Sequence, residues 1–139
     1  MRHHSERVKI QTNGRSLQDI SHVVQRVVIE SRIERGQCTV FIHHTSASLI
    51  ISENADPDVR ADLEVYLAKL VQDGDPSYSH RSEGADDMAA HIRSVLTQTS
   101  LAIPIDRGRA ALGTWQGVYL WEHRYRAHTR ELTISILGE

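Results

Sequence analysis

The chain has 139 residues, of which 40% are apolar and 24% charged, and its formal net charge is −2 with histidine counted as neutral. This length fits one domain that buries roughly two-thirds of its unfolded surface, so no disulfide or structural metal is needed to hold a core. The slight acidic excess argues against a nucleic-acid-binding protein, which usually carries a basic excess. No segment approaches the ~20 apolar residues of a membrane-spanning helix.

The numbers of cysteine and histidine residues indicate the cellular compartment and a possible kind of site. Cys38 is the only cysteine, which excludes a disulfide within the chain and favours a reducing compartment. The first residues lack the apolar core of a signal peptide, so we expect one soluble, cytoplasmic domain over residues 1–139. Nine scattered histidines are the unusual feature of the composition, because histidine is the common metal ligand and titrates near neutral pH.

The predicted elements begin with a strand over residues 5–12, where apolar and polar side chains alternate. Ser16 is then predicted to cap a helix whose apolar residues recur at helical spacing to about Ser31. Residues 37–43 and 49–51 are apolar and predict two buried strands.

Two further helices are predicted in the second half. Asp56 as cap and Pro57 as first residue start one that runs to about Val71. After a polar loop, another runs from near Gly84 to about Gln98. The apolar periodicity of the two helices predicts these inward residues: Val59, Leu63, Tyr66, Leu67, Leu70, Met88, Ile92, Val95 and Leu96.

Four more strands are predicted near residues 101–105, 110–112, 118–121 and 132–136. The order is strands, helix, strands, two helices and a run of strands. That order predicts an α+β domain with a largely antiparallel sheet.

The first candidate site segment is residues 43–48, between two predicted buried strands. Its neighbours His43 and His44 point to opposite faces if the strand continues, so at most one shares a site with the loop. Thr45 and Ser46 are candidates for substrate binding. The alternative is a polar turn whose hydroxyls bond the backbone.

The second candidate segment surrounds the start of the third helix. Asp87 and His91 are four residues apart, so they share one helix face, and His80 can fold back over the helix N-terminus. The alternative is that the acidic residues satisfy the helix dipole and that His91 is partly buried in the core.

The third segment includes Glu122, which follows a strand of apolar residues. A carboxylate there either pairs with an arginine, such as Arg124 or Arg130, or faces a cavity. Arg124, Arg126 and Arg130 are candidates for binding an anion, although a solvated strand face explains them equally well. Trp115 and Trp121 are predicted as core or interface residues rather than as substrate platforms.

The chemical hypothesis that unites these segments is a metal site. Three imidazoles, from His44, His80 and His91, can hold a divalent ion and leave a fourth position open, and zinc is the expected ion. Such an ion lowers the pKa of bound water or polarises a carbonyl or phosphoryl oxygen. Asp87 and Glu122 are candidates for orienting the ligands or for acid–base catalysis.

Five motifs follow one another in a fixed order: His44–Leu49, Glu53–Pro57, His80–Gly84, Asp87–Ile92 and Leu112–Gly117. Together they resemble the YjbQ family, also known as the secondary thiamine-phosphate synthase family. The resemblance spans about residues 5–138. It implies a single YjbQ-like α+β domain with a bifurcated sheet and about three helices.

The resemblance also implies a homotrimer with a site near the subunit boundary. His44, His80 and His91 match the family's histidines, Glu122 matches its carboxylate, and Arg130 matches an arginine on the last strand. Members have been credited with a weak thiamine-phosphate synthase activity.

Two functional hypotheses follow. The first is a metal-dependent enzyme acting on a small phosphorylated or anionic metabolite. In it Glu122, Asp87 and Arg130 are the catalytic candidates, and Thr45, Ser46, Arg124 and Arg130 the substrate-binding ones. The second is a non-catalytic trimeric protein that binds a metabolite or anion. Nucleic-acid binding is a distant third, because it would need a basic stripe.

Overall fold

The computed structural model describes residues 1–139 as eight strands and three helices. The strands are β1 (Arg2–Gln11), β2 (Ser16–Asp19), β3 (Gly36–Ile42), β4 (Ala47–Glu53), β5 (Ser100–Asp106), β6 (Arg109–Ala110), β7 (Gln116–Glu122) and β8 (Thr129–Gly138). The helices are α1 (Ser21–Ser31), α2 (Pro57–Leu70) and α3 (Asp87–Leu96).

The strands form two sheets. One has five strands in the order β1-β8-β3-β5-β6, and the other has three in the order β2-β7-β4. Every pairing is antiparallel. The predicted α+β class, with a divided antiparallel sheet and three helices, is therefore confirmed.

The main core joins one face of the five-stranded sheet to α1 and to residues of β4 and β7. Alternate residues of β3 (Cys38, Val40 and Ile42) point into it. Helix α1 contributes Val24, Val27 and Val28, which are fully buried. Burial raises the pKa of the Cys38 thiol to about 11, so this cysteine is a core residue and not a nucleophile.

A smaller core holds α2 and α3 against the three-stranded sheet. Its buried members are Leu67, Val71, Ala89 and Trp121. Trp121 is thus a core residue, as predicted, whereas Trp115 is 65% exposed. None of the three helices is long and apolar enough to cross a membrane.

The prediction that Ser16 caps a helix is wrong. Residues 16–19 form β2, in which Ser16 pairs with Glu122 and Asp19 with Tyr119 of β7. The helix begins at Ser21, whose backbone N–H donates to Asp19 Oδ1 at 2.8 Å. Pairing with a distant strand overrides the local capping pattern at Ser16.

The predicted inward faces of α2 and α3 are also wrong in part. Tyr66 and Leu70 of α2 are mostly exposed, as are Val95 and Leu96 of α3. The residues of α3 that are buried are Asp87, Ala89, Ala90 and Arg93. Helix α3 therefore turns two charged side chains toward the protein, and both take part in the polar groups described below.

Candidate functional site

Three side chains of types that can ligate a metal meet where the 71–86 loop joins α3. His80 Nε2 lies 2.7 Å from Asp87 Oδ2, and His91 Nε2 lies 3.1 Å from the same oxygen. The possible ligand atoms all lie within 4.8 Å of one another. Asp87 and His91 share a face of α3 because they are four residues apart. The structure thus unites two of the three predicted histidines, with Asp87 between them.

The ring of His91 is fixed by the backbone. Its Nδ1 lies 2.9 Å from the carbonyl oxygen of Thr45. A carbonyl only accepts hydrogen bonds, so Nδ1 carries a proton and the neutral ring has its lone pair on Nε2. This lone pair faces the carboxylate of Asp87, which also only accepts. A cation, either a second ring proton or a metal ion, is needed to make the His91–Asp87 contact favourable.

The carboxylate of Asp87 is held from its other side. Arg124 Nη1 donates to Asp87 Oδ1 at 2.8 Å, and Arg124 Nε donates to Asp86 Oδ2 at 3.0 Å. Burial alone would raise the pKa of Asp87. The hydrogen bond from His80 and the charges of His91 and Arg124 outweigh burial, so the pKa of Asp87 is lowered. Asp87 is therefore an anion aimed at the two histidines.

His44 lies apart from this cluster. Its Nε2 accepts the backbone N–H of Glu131 at 2.8 Å, and its Nδ1 lies 3.4 Å from Arg130 Nη1. Burial, and then the charge of Arg130, lower the pKa of His44, so the ring is neutral at pH 7. The contact with β8 occupies the lone pair that a metal would need, so the described geometry does not make His44 a third ligand.

Glu122 and Arg130 form an ion pair inside the protein, and both are nearly fully buried. Glu122 also accepts from Thr12 Oγ1 at 2.7 Å and from the backbone N–H of Arg124 at 3.2 Å. Burial would raise the pKa of Glu122, but the hydrogen bonds from Arg130 and Thr12 lower it overall. Both carboxylate oxygens are occupied, so Glu122 supports its surroundings and does not face the cluster.

The predicted substrate-binding residues are divided between these groups. Arg124 is fully engaged by Asp86, Asp87 and the carbonyl of Glu83. Ser46 Oγ accepts from Arg130 Nη2 at 3.0 Å. The side chain of Thr45 is exposed and makes no hydrogen bond within the chain. Arg130 keeps one guanidinium nitrogen, Nη1, without an acceptor oxygen, and the third arginine predicted to bind an anion, Arg126, is exposed and makes no side-chain hydrogen bond.

Sequence reasoning missed a buried polar group around His123. Arg93 Nε donates to His123 Nδ1 at 3.1 Å, and His123 Nε2 lies 2.7 Å from Ser48 Oγ. Because Nδ1 accepts, Nε2 carries the proton and donates to Ser48, so His123 cannot serve Ser48 as a general base. Burial, and then Arg93, lower the pKa of His123 to about 2. The available signal was a histidine directly after an apolar strand.

Two cavities include a member of the His80–Asp87–His91 cluster in their walls. One, of about 250 Å³, is formed by the 71–86 loop and has His80 in its wall. The other, of about 220 Å³, has both His44 and His91 in its wall. A small molecule in either cavity would touch a member of the cluster.

The donor set fits a divalent ion such as zinc. Two imidazoles and one carboxylate are ligands that zinc accepts, and three protein ligands leave an open coordination position. Each of His91 and Asp87 has its remaining polar atom held by a neighbour, which is the usual support for metal ligands. His80 is 43% exposed and His91 31%, so the site is reached from solvent.

Comparisons with known proteins place the chain in one family. The family model described as UPF0047 protein YjbQ-like matches residues 6–139. The chain belongs to the YjbQ family. A UPF0047 protein of Synechocystis sp. is 55% identical over 138 residues, which cover 99% of this chain and 94% of that relative. The UPF0047 protein YugU of Bacillus subtilis is 34% identical over 125 residues, which cover 86% of this chain and 88% of YugU.

Solved structures agree with the YjbQ assignment. A conserved hypothetical protein from Thermus thermophilus superposes with a TM-score of 0.85 at 31% identity, covering 95% of this chain and 99% of that one. A YjbQ-family protein from Clostridium acetobutylicum gives a TM-score of 0.84 at 36% identity, with 96% and 98% covered. The YjbQ resemblance and the fold predicted from the five motifs are both confirmed.

Proposed function

We propose that this protein is a metal-dependent enzyme that acts on a small phosphorylated or anionic metabolite. The observation that carries the proposal is the contact between the His91 lone pair and the Asp87 carboxylate, which needs either a second ring proton or a metal ion, and His80 beside it supplies a third possible metal ligand. His80, Asp87 and His91 would hold a divalent ion, with zinc the expected one.

The ion would supply Lewis-acid chemistry by polarising a carbonyl or phosphoryl oxygen of the substrate. The protein's own residues have positioning roles. The Thr45 carbonyl keeps the His91 ring in one tautomer, and Arg124 keeps the Asp87 carboxylate ionised and oriented. The open side of the site, next to the two cavities, would admit the substrate.

The first test is elemental analysis of protein purified without added metal. We expect stoichiometric metal in the natural protein and trace metal in His91→Ala and Asp87→Asn, with unchanged circular dichroism. His22→Ala is the matched control, because His22 is exposed on α1 and should leave the metal content unchanged. Equal trace metal in the natural protein and in His91→Ala would remove the basis of the proposal.

The second test separates an enzyme from a binding protein. Metal-loaded protein and His91→Ala would be assayed on small phosphorylated metabolites, including the pyrimidine pyrophosphate and thiazole phosphate that combine into thiamine phosphate. Product that forms only with the loaded protein supports catalysis. Ligand-dependent thermal stabilisation without any product would instead favour the non-catalytic binding protein.

We also propose that the protein acts in the cytoplasm, which its single cysteine favours, and that it assembles as a homotrimer, as the family resemblance implies. The support from the structure is that several large apolar side chains, Tyr66 and Leu70 of α2 among them, are mostly exposed. A subunit contact would bury such side chains. Sedimentation of the purified protein should give three times the chain mass, and a monomer would contradict this part of the proposal.

A further inference from the structure

The cavity beside His91 contains hydrogen-bonding groups that the fold itself does not use. Its wall consists of His44, Thr45, His91, Ser94, Val95 and Thr99. Ser94 Oγ is buried and has no hydrogen-bond partner, one of only three such side-chain atoms in the chain. Buried polar atoms without partners are costly, so a group in this position suggests that a ligand satisfies it.

The tautomer of His44 adds a donor at the same wall. Its Nε2 accepts the backbone N–H of Glu131 at 2.8 Å, so the neutral ring carries its proton on Nδ1. Arg130 Nη1, the nearest group to Nδ1 at 3.4 Å, is also a donor. The two nitrogens therefore cannot bond each other, and both lack an acceptor.

The buried guanidinium of Arg130 places a positive charge directly beside the His44 donor. Glu122 occupies the Nε and Nη2 sides of the Arg130 guanidinium, which fixes the plane of that group and leaves Nη1 toward His44. Charge-assisted donors of this kind favour carboxylate and phosphate oxygens over neutral acceptors.

We infer that the cavity between His44 and His91 is an anion subsite, in which His44 Nδ1–H, next to the positive charge of Arg130, binds one carboxylate or phosphate oxygen and Ser94 binds another. This assigns His44 to the substrate and not to the metal. Its place in a reaction rests on the proposed function, because an anion held there would lie directly beside the metal cluster through the shared wall residue His91.

The experiment uses metal-free protein with inorganic phosphate and acetate as separate probes. Long-range ¹H–¹⁵N spectra of the histidine rings should show His44 as the Nδ1–H tautomer, and adding the preferred anion should shift the His44 signals. A response to phosphate but not acetate identifies a phosphoryl subsite, and the reverse identifies a carboxylate subsite. The inference is overturned by an Nε2–H tautomer, or by His44 signals that neither anion moves.

Matched variants test the donors separately. His44→Gln retains an acceptor near the Glu131 N–H but lacks the Nδ1–H donor, so anion affinity should fall about tenfold, the effect of one charge-assisted hydrogen bond. His44→Asn retains a donor near the Nδ1 position and should bind more tightly than His44→Gln. Ser94→Ala removes an unsatisfied hydroxyl, so it should weaken binding without lowering the melting temperature. Unchanged affinity in both His44→Gln and Ser94→Ala would refute the subsite.

Zinc titration of the same samples keeps the two proposals separate. Anion binding at His44 without any zinc binding would retain the subsite and refute the metal-dependent function. Zinc binding that depends on His91, without an anion response at His44, would refute the subsite alone.

Discussion

Arg93 donates its Nε–H to Nδ1 of His123 at 3.1 Å, and both side chains are fully buried. The same guanidinium forms an ion pair with Glu64, whose other oxygen accepts from Trp121 Nε1 at 2.7 Å. One arginine of α3 thus joins α2 and β7. This network, together with the smaller core, fixes α3 against the three-stranded sheet, although the apolar side chains of Val95 and Leu96 face outward.

Replacing Arg93 with methionine should destabilise the protein by about 3 kcal/mol, because removing one partner of a buried pair leaves the other without compensation. Chemical unfolding measures the change. The control is Arg26→Ala, which breaks an exposed ion pair with Glu6 and should cost less than about 1 kcal/mol. Equal losses in the two variants would show that the Arg93 network does not hold α3.

The burial of His123 predicts a loss of stability in mild acid. Its folded pKa is about 2, below the ordinary value of 6.5, so the unfolded chain binds this proton first as the pH falls. The stabilising effect of the neutral ring is complete above pH 6.5 and declines toward pH 2, by about 1.4 kcal/mol per pH unit. Urea unfolding at pH 7.5 and pH 5.5, about 1 unit on either side of the ordinary value, should show the decline.

His123→Gln is the comparison for this pH dependence. The variant lacks the titrating ring, so it should be less stable than the natural protein at neutral pH. Its stability should also change less between neutral and mildly acidic pH, and the gap between the two proteins should narrow in acid. Parallel curves would mean that another group, not His123, controls acid unfolding.

Arg124→Gln should weaken the metal site without unfolding the protein. Arg124 fixes Asp86 and Asp87, and loss of such a supporting contact typically lowers metal affinity by about 10- to 100-fold. Zinc titration against a competing chelator gives the affinity. Arg126→Gln is the control, because Arg126 is exposed on the same connection and its side chain makes no hydrogen bond. A similar zinc affinity in both variants would contradict the role given to Arg124.

The Asn54 side chain should contribute more to the stability of the protein than the exposed indole of Trp115 does. Asn54 Nδ2 donates to the carbonyls of Thr114 and Gln116 at 3.2 and 3.3 Å. Asn54→Ala should therefore cost about 1–2 kcal/mol. Trp115→Ala removes an exposed side chain and should change stability by less than about 0.5 kcal/mol. Thermal unfolding of both variants checks the order, and a larger loss for Trp115→Ala would mean that the indole is buried in an assembly.

The sequence predicted the parts of the fold that depend on local patterns. The alternation of apolar and polar side chains predicted β1. The Asp56–Pro57 pair predicted the start of α2, where Asp56 Oδ1 accepts a hydrogen bond from the Asp58 N–H at 2.9 Å. Ser16 misled because its strand depends on β7, about a hundred residues away. The prediction that Val95 and Leu96 point inward failed because α3 buries Asp87 and Arg93 instead. These two charged side chains have partners on other elements, and apolar periodicity does not account for such partners.

In the candidate site, too, the sequence predicted the local contact and missed the long-range one. Asp87 and His91 were predicted as one face of a helix, and that local spacing brought them together. His44 is held by the backbone N–H of Glu131 in β8. The two residues are close because β3, which ends at Ile42 just before His44, pairs with β8 at Leu132. Residue spacing cannot predict a contact between two strands that are far apart in the sequence. The sequence analysis therefore grouped three histidines, whereas the fold separates His44 from His80 and His91.

The cluster combines one ligand from a loop with two from a helix. Asp87 and His91 are positioned by α3 whether or not an ion is present, but His80 belongs to the 71–86 connection. An ion bound by all three residues would tie residues 71–86 to α3. The measured affinity for the ion would therefore include the free energy needed to order this loop. A molecule that fills the loop cavity would then tighten metal retention, and by reciprocity the metal would tighten the hold on that molecule.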